Sequence, residues 1–255
     1  MVTLRIEDSE EKSIEFYRPG FSLLKLAAQH PRGAISYLMK YLREKYILTF
    51  LKEKKIRELT GASLQETRLY FNDLKNNVKL QRHIQDAINK YAYPIGGMTT
   101  LRGPVLYVIC RAQKPAVVVE TGVASGVSST FILQALEDNK KGKLFSIDLP
   151  DPNLKNNIGW LIPKKLRPRW RLTIGRSSEE LVPLLDKLGS IDMFLHDSEH
   201  SYNNMIWEYR TAWYYLSQGG ILLSDDITSN HAFFDFSRKV KRNYVRFNLL
   251  GGIRR

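Results

Sequence analysis

The chain has 255 residues, of which 43% are hydrophobic and 25% charged, and its net charge is +13, values that fit a globular protein with a buried core. Its single cysteine, Cys110, excludes an intrachain disulfide framework, and no apolar run reaches the roughly 20 residues that a bilayer span requires. The start of the chain lacks the apolar stretch of a signal peptide, so we predict a cytoplasmic protein.

Residues 1–100 are predicted to form a helical N-terminal extension. From about residue 34 to residue 59, apolar residues recur at steps of three and four, which is the spacing of one helix face. A further helix is predicted to begin after Ser63, because Ser63 and Glu66 form a Ser-x-x-Glu capping box, and to run to about Tyr91.

The extension is also the more basic part of the chain, because residues 1–115 hold 20 Lys and Arg against 11 Asp and Glu. A basic surface can attract nucleic acid, an anionic membrane or an acidic substrate, and a solvated helix surface accounts for the same excess equally well. We therefore expect the helices to cover a site or to form a homodimer interface. Nucleic acid and a membrane surface are less favoured partners.

Residues 101–255 are predicted to form the main domain, which opens with a helix over 101–113. After this helix, short apolar runs alternate with segments of helical length, a pattern typical of a parallel sheet covered by helices on both faces. The five runs are 116–120, 143–148, 170–174, 191–196 and 220–225. Ligands bind beyond the carboxyl ends of such strands, so the residues after each run form the candidate site. A sixth strand is expected at 244–249, and the last strand is expected to be short because only three residues follow Gly252.

A glycine-containing loop follows the first apolar run, where residues 120–126 have the sequence ETGVASG. Small residues let a backbone pass close to a ligand, and the helix that follows offers unpaired N–H groups. The Gly-x-x-x-Gly spacing differs from the Gly-x-Gly-x-x-Gly dinucleotide motif, and no Gly-Lys-Ser/Thr phosphate loop follows. An acid two residues before the first glycine disfavours a pyrophosphate and favours a cationic ligand.

This loop resembles motif I of class I S-adenosylmethionine-dependent methyltransferases. The resemblance implies a doubly wound, mostly parallel, Rossmann-like α/β sheet of seven strands. The cofactor-binding residues that it implies are Glu120, Gly122, Ser125, Gly126, Asp148 and Ser177. The loop residues would line the site of the methionine part, Asp148 would accept hydrogen bonds from both ribose hydroxyls, and Ser177 would contact the adenine.

Acidic residues also follow the fourth and fifth runs, at Asp197 and at the pair Asp225 and Asp226. The ends of adjacent parallel strands meet at one edge of a sheet, so the three carboxylates are expected to converge. They would repel one another unless a cation or protons neutralised them. Oxygen ligands with positions left for water or substrate favour Mg²⁺, with Mn²⁺ as the second choice. The prediction is a metal site formed by Asp197, Asp225 and Asp226.

The same acids resemble those of metal-dependent O-methyltransferases, including the catechol type and the branch that acts on macrolide sugars. In these families the third residue after the strand-four aspartate can serve as the base, and here that residue is His200. The resemblance implies that the metal lowers the pKa of a substrate hydroxyl beside Asp197 and that His200 accepts the proton. His200 and Asp197 are therefore the predicted catalytic residues, and the expected substrate is a hydroxyl group of a small molecule or sugar.

Alternative interpretations stay open. His196, Glu199 and His200 match a His-x-x-Glu-His zinc pattern, but that motif requires a helix and His196 ends an apolar run. The Asp225-Asp226 pair could belong to a turn or a helix cap, and His200 could be a surface residue. For the whole protein, the alternatives are an RNA methyltransferase that uses the basic extension, a non-catalytic cofactor-binding protein, and another metal-dependent activity on this scaffold.

Overall fold

The computed structural model describes residues 51–90, 102–150 and 157–255, so the helices predicted before residue 51 lie outside the described residues. The range Leu51–Arg255 forms one compact unit. The helices of residues 51–90 belong to this unit, and the boundary at residue 100 between the extension and the main domain stays a prediction. In the part of the chain that the structure describes, no helix combines the length and the apolar character that crossing a membrane requires.

The described helices and strands alternate through most of the chain. The helices are α1 (residues 51–60), α2 (Leu64–Asn76), α3 (Val78–Lys90), α4 (Gly103–Gln113), α5 (Val127–Asp138), α6 (Ser177–Leu188), α7 (Tyr202–Tyr215) and α8 (Ala232–Lys239), with a 3-10 helix at Lys164–Arg169. The strands are β1 (Val117–Thr121), β2 (Lys143–Asp148), β3 (Trp170–Ile174), β4 (Ile191–His196), β5 (Leu216–Ser224), β6 (Tyr244–Phe247) and β7 (Leu250–Arg254).

The strands form one seven-stranded sheet in the order β3-β2-β1-β4-β5-β7-β6. The first five strands are parallel, and β7 is antiparallel to both of its neighbours. This arrangement confirms the predicted doubly wound, mostly parallel α/β sheet. The second, third and fourth strands have the predicted bounds, whereas the fifth begins at Leu216, four residues earlier than predicted.

Each face of the sheet is covered by its own group of helices. Val118 of β1 belongs to the core beneath α1 to α5, and the next residue, Val119, belongs to the core beneath α6 to α8. Successive strand residues point to opposite faces, so a strand covered on both sides must be apolar at every position. This requirement explains the near-continuous apolar runs of the sequence.

The capping box at Ser63 is confirmed, but the helix that it begins is shorter than predicted. The Ser63 hydroxyl accepts a hydrogen bond from the Glu66 N–H, and the Glu66 carboxylate accepts one from the Ser63 N–H. The prediction of a single helix from Ser63 to about Tyr91 is wrong, because α2 ends at Asn76 and α3 follows it. The Asn77 side chain accepts a hydrogen bond from the Leu80 N–H at 3.1 Å. Asn77 therefore caps the first turn of α3 and does not continue α2.

The last strand is longer than expected because it includes two glycines. Gly251 and Gly252 lie within β7, which pairs with both β5 and β6. A Cβ atom at Gly251 would lie 2.5 Å from Phe233, and one at Gly252 would lie 2.7 Å from Leu59. Helices α8 and α1 thus approach the strand backbone from opposite faces, which only glycine permits.

Candidate active site

The glycine loop joins β1 to α5 and has a backbone that requires glycine. Gly122 has a φ of 83°, and Gly126, the N-cap residue of α5, has a φ of 90°. A Cβ atom at Gly122 would lie 1.9 Å from the carbonyl oxygen of Asp197. The Asp197 N–H also donates to the Thr121 carbonyl at 2.8 Å. The glycine therefore lets the carboxyl ends of β1 and β4 meet, which brings the loop next to Asp197.

Glu120 lies beneath this loop and is fully buried. Its carboxylate accepts hydrogen bonds from the hydroxyls of Ser128, Ser129 and Ser146 at 2.6 to 2.9 Å. Burial raises the pKa of Glu120 to about 7, although these three hydrogen bonds oppose the rise. In this structure Glu120 links the start of α5 to β1 and β2, and its contact with a cofactor stays a prediction.

Asp148 ends β2 and faces the same loop. One oxygen of its carboxylate accepts hydrogen bonds from the N–H groups of Val123 and Ala124, at 3.0 and 2.7 Å, and the other accepts one from the Leu149 N–H. A carboxylate offers about four acceptor sites, so Asp148 retains capacity for a ligand hydroxyl. Ala124 is exposed and Ser125 is half-buried, so the outer side of the loop is open to a ligand. The polar groups at this edge fit the ribose and the cationic part of S-adenosylmethionine.

Ser177 begins α6, after β3, as predicted. Its side chain hydrogen-bonds to Glu208, a residue of α7 that the sequence analysis did not select. This contact directs the hydroxyl of Ser177 towards the interior, and the predicted contact with adenine stays a prediction.

The acids after β4 and β5 meet a residue that sequence reasoning missed, Arg102. Asp225 follows β5, and both of its carboxylate oxygens accept hydrogen bonds from Nη1 of Arg102. The same nitrogen lies 3.3 Å from Oδ1 of Asp226. Arg102 precedes α4 and is separated from Asp225 by 123 residues. No local motif marks it, because a single arginine before a Gly-Pro pair is a common sequence feature.

Burial and neighbouring charges alter the acidity of these groups. Burial raises the pKa of Asp197 well above its ordinary value, and the carboxylates of Asp225 and Glu120 raise it further. Burial also raises the pKa of Asp225, against the lowering effect of the Arg102 guanidinium. Asp197 and Asp225 are thus electrostatic neighbours, as the strand order predicted. An acid whose pKa is raised by burial and by a neighbouring carboxylate, as that of Asp197 is, is a common feature of functional sites.

His200 lies in the segment between β4 and α7, close to Asp197. Its Nε2 atom is 3.9 Å from Oδ1 of Asp197, which is too far for a hydrogen bond. Among the described residues this buried nitrogen has no hydrogen-bond partner. Burial lowers the pKa of His200, and the nearby His196 lowers it further. The imidazole is therefore neutral at pH 7 and has a nitrogen available to accept a proton.

A buried network surrounds His196, the last residue of β4. Its Nδ1 atom lies 2.7 Å from the Glu208 carboxylate, which also accepts hydrogen bonds from Thr121, Ser198 and Asn204. Burial alone would raise the pKa of Glu208, but these contacts, above all that with His196, lower it overall. A charged residue on an otherwise apolar helix face was the signal that could have identified Glu208. The network anchors α7 beneath the strand end that carries Asp197.

The zinc interpretation finds no support in this geometry. The His-x-x-Glu-His residues follow a strand, and α7 begins only at Tyr202. The two histidines therefore do not share a helix face, although their rings make an edge contact with centroids 5.2 Å apart.

The three aspartates do not fit a divalent cation in this arrangement. Both oxygens of Asp225 are engaged by Arg102, and a guanidinium beside them repels a second cation. Within residues 51–90, 102–150 and 157–255, no group of three or more His, Cys, Asp or Glu side chains is placed to hold a metal ion. The predicted Mg²⁺ or Mn²⁺ ion at Asp197, Asp225 and Asp226 stays a prediction that these contacts do not support.

Residues 119–227 match the model of a protein family described as a methyltransferase domain. The match begins within β1 and ends just after Asp226, so it includes the glycine loop, Asp148 and the acidic residues. It confirms the resemblance to methyltransferases that the motifs indicated for this part of the chain. A search of curated proteins finds no match to the chain.

Solved structures share this fold at low sequence identity. The methyltransferase PaMTH1 of Podospora anserina, with SAH bound, is 17% identical with a TM-score of 0.52, and the alignment covers 69% of this chain and 86% of that one. An O-methyltransferase of Bacillus cereus in complex with SAH is 12% identical with a TM-score of 0.51, over 71% and 92% of the two chains. A methyltransferase of Geobacter sulfurreducens is 16% identical with a TM-score of 0.50, over 69% and 88%.

Proposed function

We propose that the chain is an S-adenosylmethionine-dependent O-methyltransferase that acts on a hydroxyl group of a small molecule or sugar. The observation that carries this proposal is the position of His200, whose available Nε2 atom lies beside Asp197 at the end of the strand next to the glycine loop. Two proteins of similar fold, from Podospora anserina and Bacillus cereus, were solved with SAH, the product of this cofactor.

The cofactor site of the proposal is the outer side of the glycine loop together with Asp148. When bound, S-adenosylmethionine supplies an electrophilic methyl group on a sulfonium centre. Asp148 holds a ribose hydroxyl with its remaining acceptor capacity, and the carboxyl groups nearby favour the positive charge of the ligand. Glu120 acts indirectly, because it fixes the serines at the start of α5.

His200 is the general base of the proposal. A hydroxyl beside it loses its proton to Nε2 as its oxygen forms the bond to the methyl carbon. Asp197, 3.9 Å away, stabilises the positively charged imidazole that results. With S-adenosylmethionine bound, each turnover would exchange the S–CH3 bond of the sulfonium for an O–CH3 bond, with S-adenosylhomocysteine as the leaving group. The hydroxyl proton would pass to His200, from which water removes it.

Calorimetry with SAH and a methyl-transfer assay on a panel of diols and sugars test the proposal. We expect the wild-type chain to bind SAH. His200→Ala should lower turnover by about 10² to 10⁴-fold, because the base is lost, and leave the affinity for SAH nearly unchanged. His231→Ala, at an exposed histidine before α8, is the matched control and should keep full activity. A wild-type chain that does not bind SAH, or a His200→Ala variant with full turnover, would contradict the proposal.

The partner predictions depend on residues outside the described ranges. A homodimer through the N-terminal helices should elute at twice the chain mass and become monomeric when residues 1–50 are removed. The rival RNA methyltransferase should bind RNA with a steep dependence on salt concentration. A non-catalytic protein should bind SAH without methylating any acceptor of the panel.

A further inference from the structure

The guanidinium of Arg102 lies at the strand end where a metal ion was predicted. Its Nη1 atom contacts both carboxylate oxygens of Asp225 and lies 3.3 Å from Asp226. The side chains of Arg102 and Asp225 are 9% and 6% exposed. Because so little water reaches this pair, the charges interact more strongly than they would at the protein surface.

Helix α4 holds Arg102 in this position. Arg102 is the N-cap residue of α4, whose residues Val105 to Cys110 are buried and which packs against α2 and α5. The side chain therefore cannot withdraw from Asp225 without a movement of the core helix or a change of several rotamers. Arginine also keeps its charge at every pH at which proteins are folded. The positive charge at this strand end is permanent.

A divalent cation would have to compete with this arginine. Asp225 and Asp226 supply two of the three predicted metal ligands, and the oxygens of Asp225 already accept from Arg102. A metal ion in contact with the same oxygens would lie beside the guanidinium, and the two cations would repel each other across a poorly hydrated space. The arginine thus performs the charge neutralisation for which the acidic pattern predicted a metal.

We propose that Arg102 is the resident cation of this site and that methyl transfer by the chain requires no divalent metal ion. The proposal rests on the proposed function. Arg102 is a positioning residue: it holds Asp225 and Asp226 at the strand end beside Asp197, and it compensates their charge. The substrate hydroxyl is then activated by His200 alone, without coordination to a metal.

Binding of Mn²⁺, followed by electron paramagnetic resonance, tests the proposal without any turnover. We expect no saturable binding to the wild-type chain at up to about 1 mM Mn²⁺. Arg102→Met removes the cation, so this variant should bind Mn²⁺ at least about tenfold more tightly, and the added change Asp225→Asn should abolish that gain. Arg238→Met, which breaks an exposed pair with Asp235, is the matched control and should behave as wild type. A wild-type Mn²⁺ site that Asp225→Asn removes would overturn the proposal.

Thermal melting shows whether the variants are folded. Arg102→Met leaves Asp225 buried without a cation, so its Tm should fall by roughly 10 °C, and Mn²⁺ should recover part of the loss. The double variant Arg102→Met with Asp225→Asn should lose less. If Arg102→Met does not fold, Arg102→Lys, which keeps the charge, should fold and bind no Mn²⁺. Saturable Mn²⁺ binding by Arg102→Lys at up to about 1 mM would count against the proposal.

The methyl-transfer assay on the wild-type chain also tests whether turnover requires a divalent metal ion. Turnover should be the same in EDTA and in Mg²⁺, and a loss of turnover in EDTA that Mg²⁺ restores would overturn the proposal. Failure of the proposed function gives a different result, because a chain that binds no SAH and methylates nothing can still be tested for Mn²⁺ binding. The two proposals can therefore fail separately.

Discussion

Replacement of Glu120 by glutamine should change how the stability of the chain depends on pH. Burial raises the pKa of the Glu120 carboxyl to about 7, from an ordinary value of 4.5. Between these values the folded chain holds a proton that the unfolded chain has lost. The stabilisation from Glu120 is therefore complete below pH 4.5 and is lost as the pH rises through 7.

The size of the change in stability follows from the shift in the pKa of Glu120. Each pKa unit corresponds to about 1.4 kcal/mol, so the rise to about 7 corresponds to about 3 kcal/mol in total. Most of this stabilisation is lost between pH 5 and pH 8, and the smaller remainder is lost below pH 5, where the glutamate of the unfolded chain ionises. Glutamine has no proton to lose in this range. Its amide can also accept from one serine hydroxyl and donate to the others, so the variant should fold.

Urea unfolding of the wild-type chain and of Glu120→Gln, at several pH values from 5 to 8, measures the effect. The difference in unfolding free energy, wild type minus variant, should fall by about 2 to 3 kcal/mol over this range. Glu179→Gln, which removes an exposed carboxylate in the first turn of α6, is the matched control. A constant or rising difference for Glu120→Gln would refute the assignment of a raised pKa.

Three further predictions follow from contacts of the site. Glu208→Leu removes a shared acceptor from five side chains, of which Thr121 and His196 are fully buried, and should cost about 4 kcal/mol in urea unfolding, whereas an unchanged midpoint would contradict the network. Gly122→Ala should cost at least about 3 kcal/mol by thermal melting, because its Cβ would meet the Asp197 carbonyl. Gly189→Ala, also at positive φ but with open space around it, should cost less, and equal losses would mean that φ alone matters. Asp148→Asn should weaken SAH binding about tenfold in calorimetry, and unchanged affinity would exclude Asp148 from the cofactor site.

The core of the fold was predictable because its elements have local sequence signals. Strands β2, β3 and β4 have the predicted bounds, since a strand buried on both faces must be a short, uninterrupted apolar run. The Ser63 capping box was predictable for a similar reason, because its partners are only three residues apart. The positions of Asp148 and Asp197 followed from the same pattern, as each comes at or just after a strand end.

The elements that sequence reasoning missed depend on close approach between distant segments. The last strand was expected to be short, but Gly251 and Gly252 lie within β7, where α1 and α8 pack against the strand backbone. Helix α2 ends just before Asn77, because the Asn77 side chain caps the next helix, α3. The spacing of apolar residues continues across Asn77 and does not reveal this break.

The sequence by itself determined the parallel sheet, the glycine loop and the acids at the strand ends, because periodicity, glycine and strand length act between neighbouring residues. Only the tertiary structure decided what neutralises those acids. Arg102 reaches Asp225 across 123 residues of chain, because the buried helix α4 places its N-cap residue at the end of β5. Charge compensation is a property of distance in space, and a pattern of acids along a chain is equally consistent with a metal ion or with an arginine from another element.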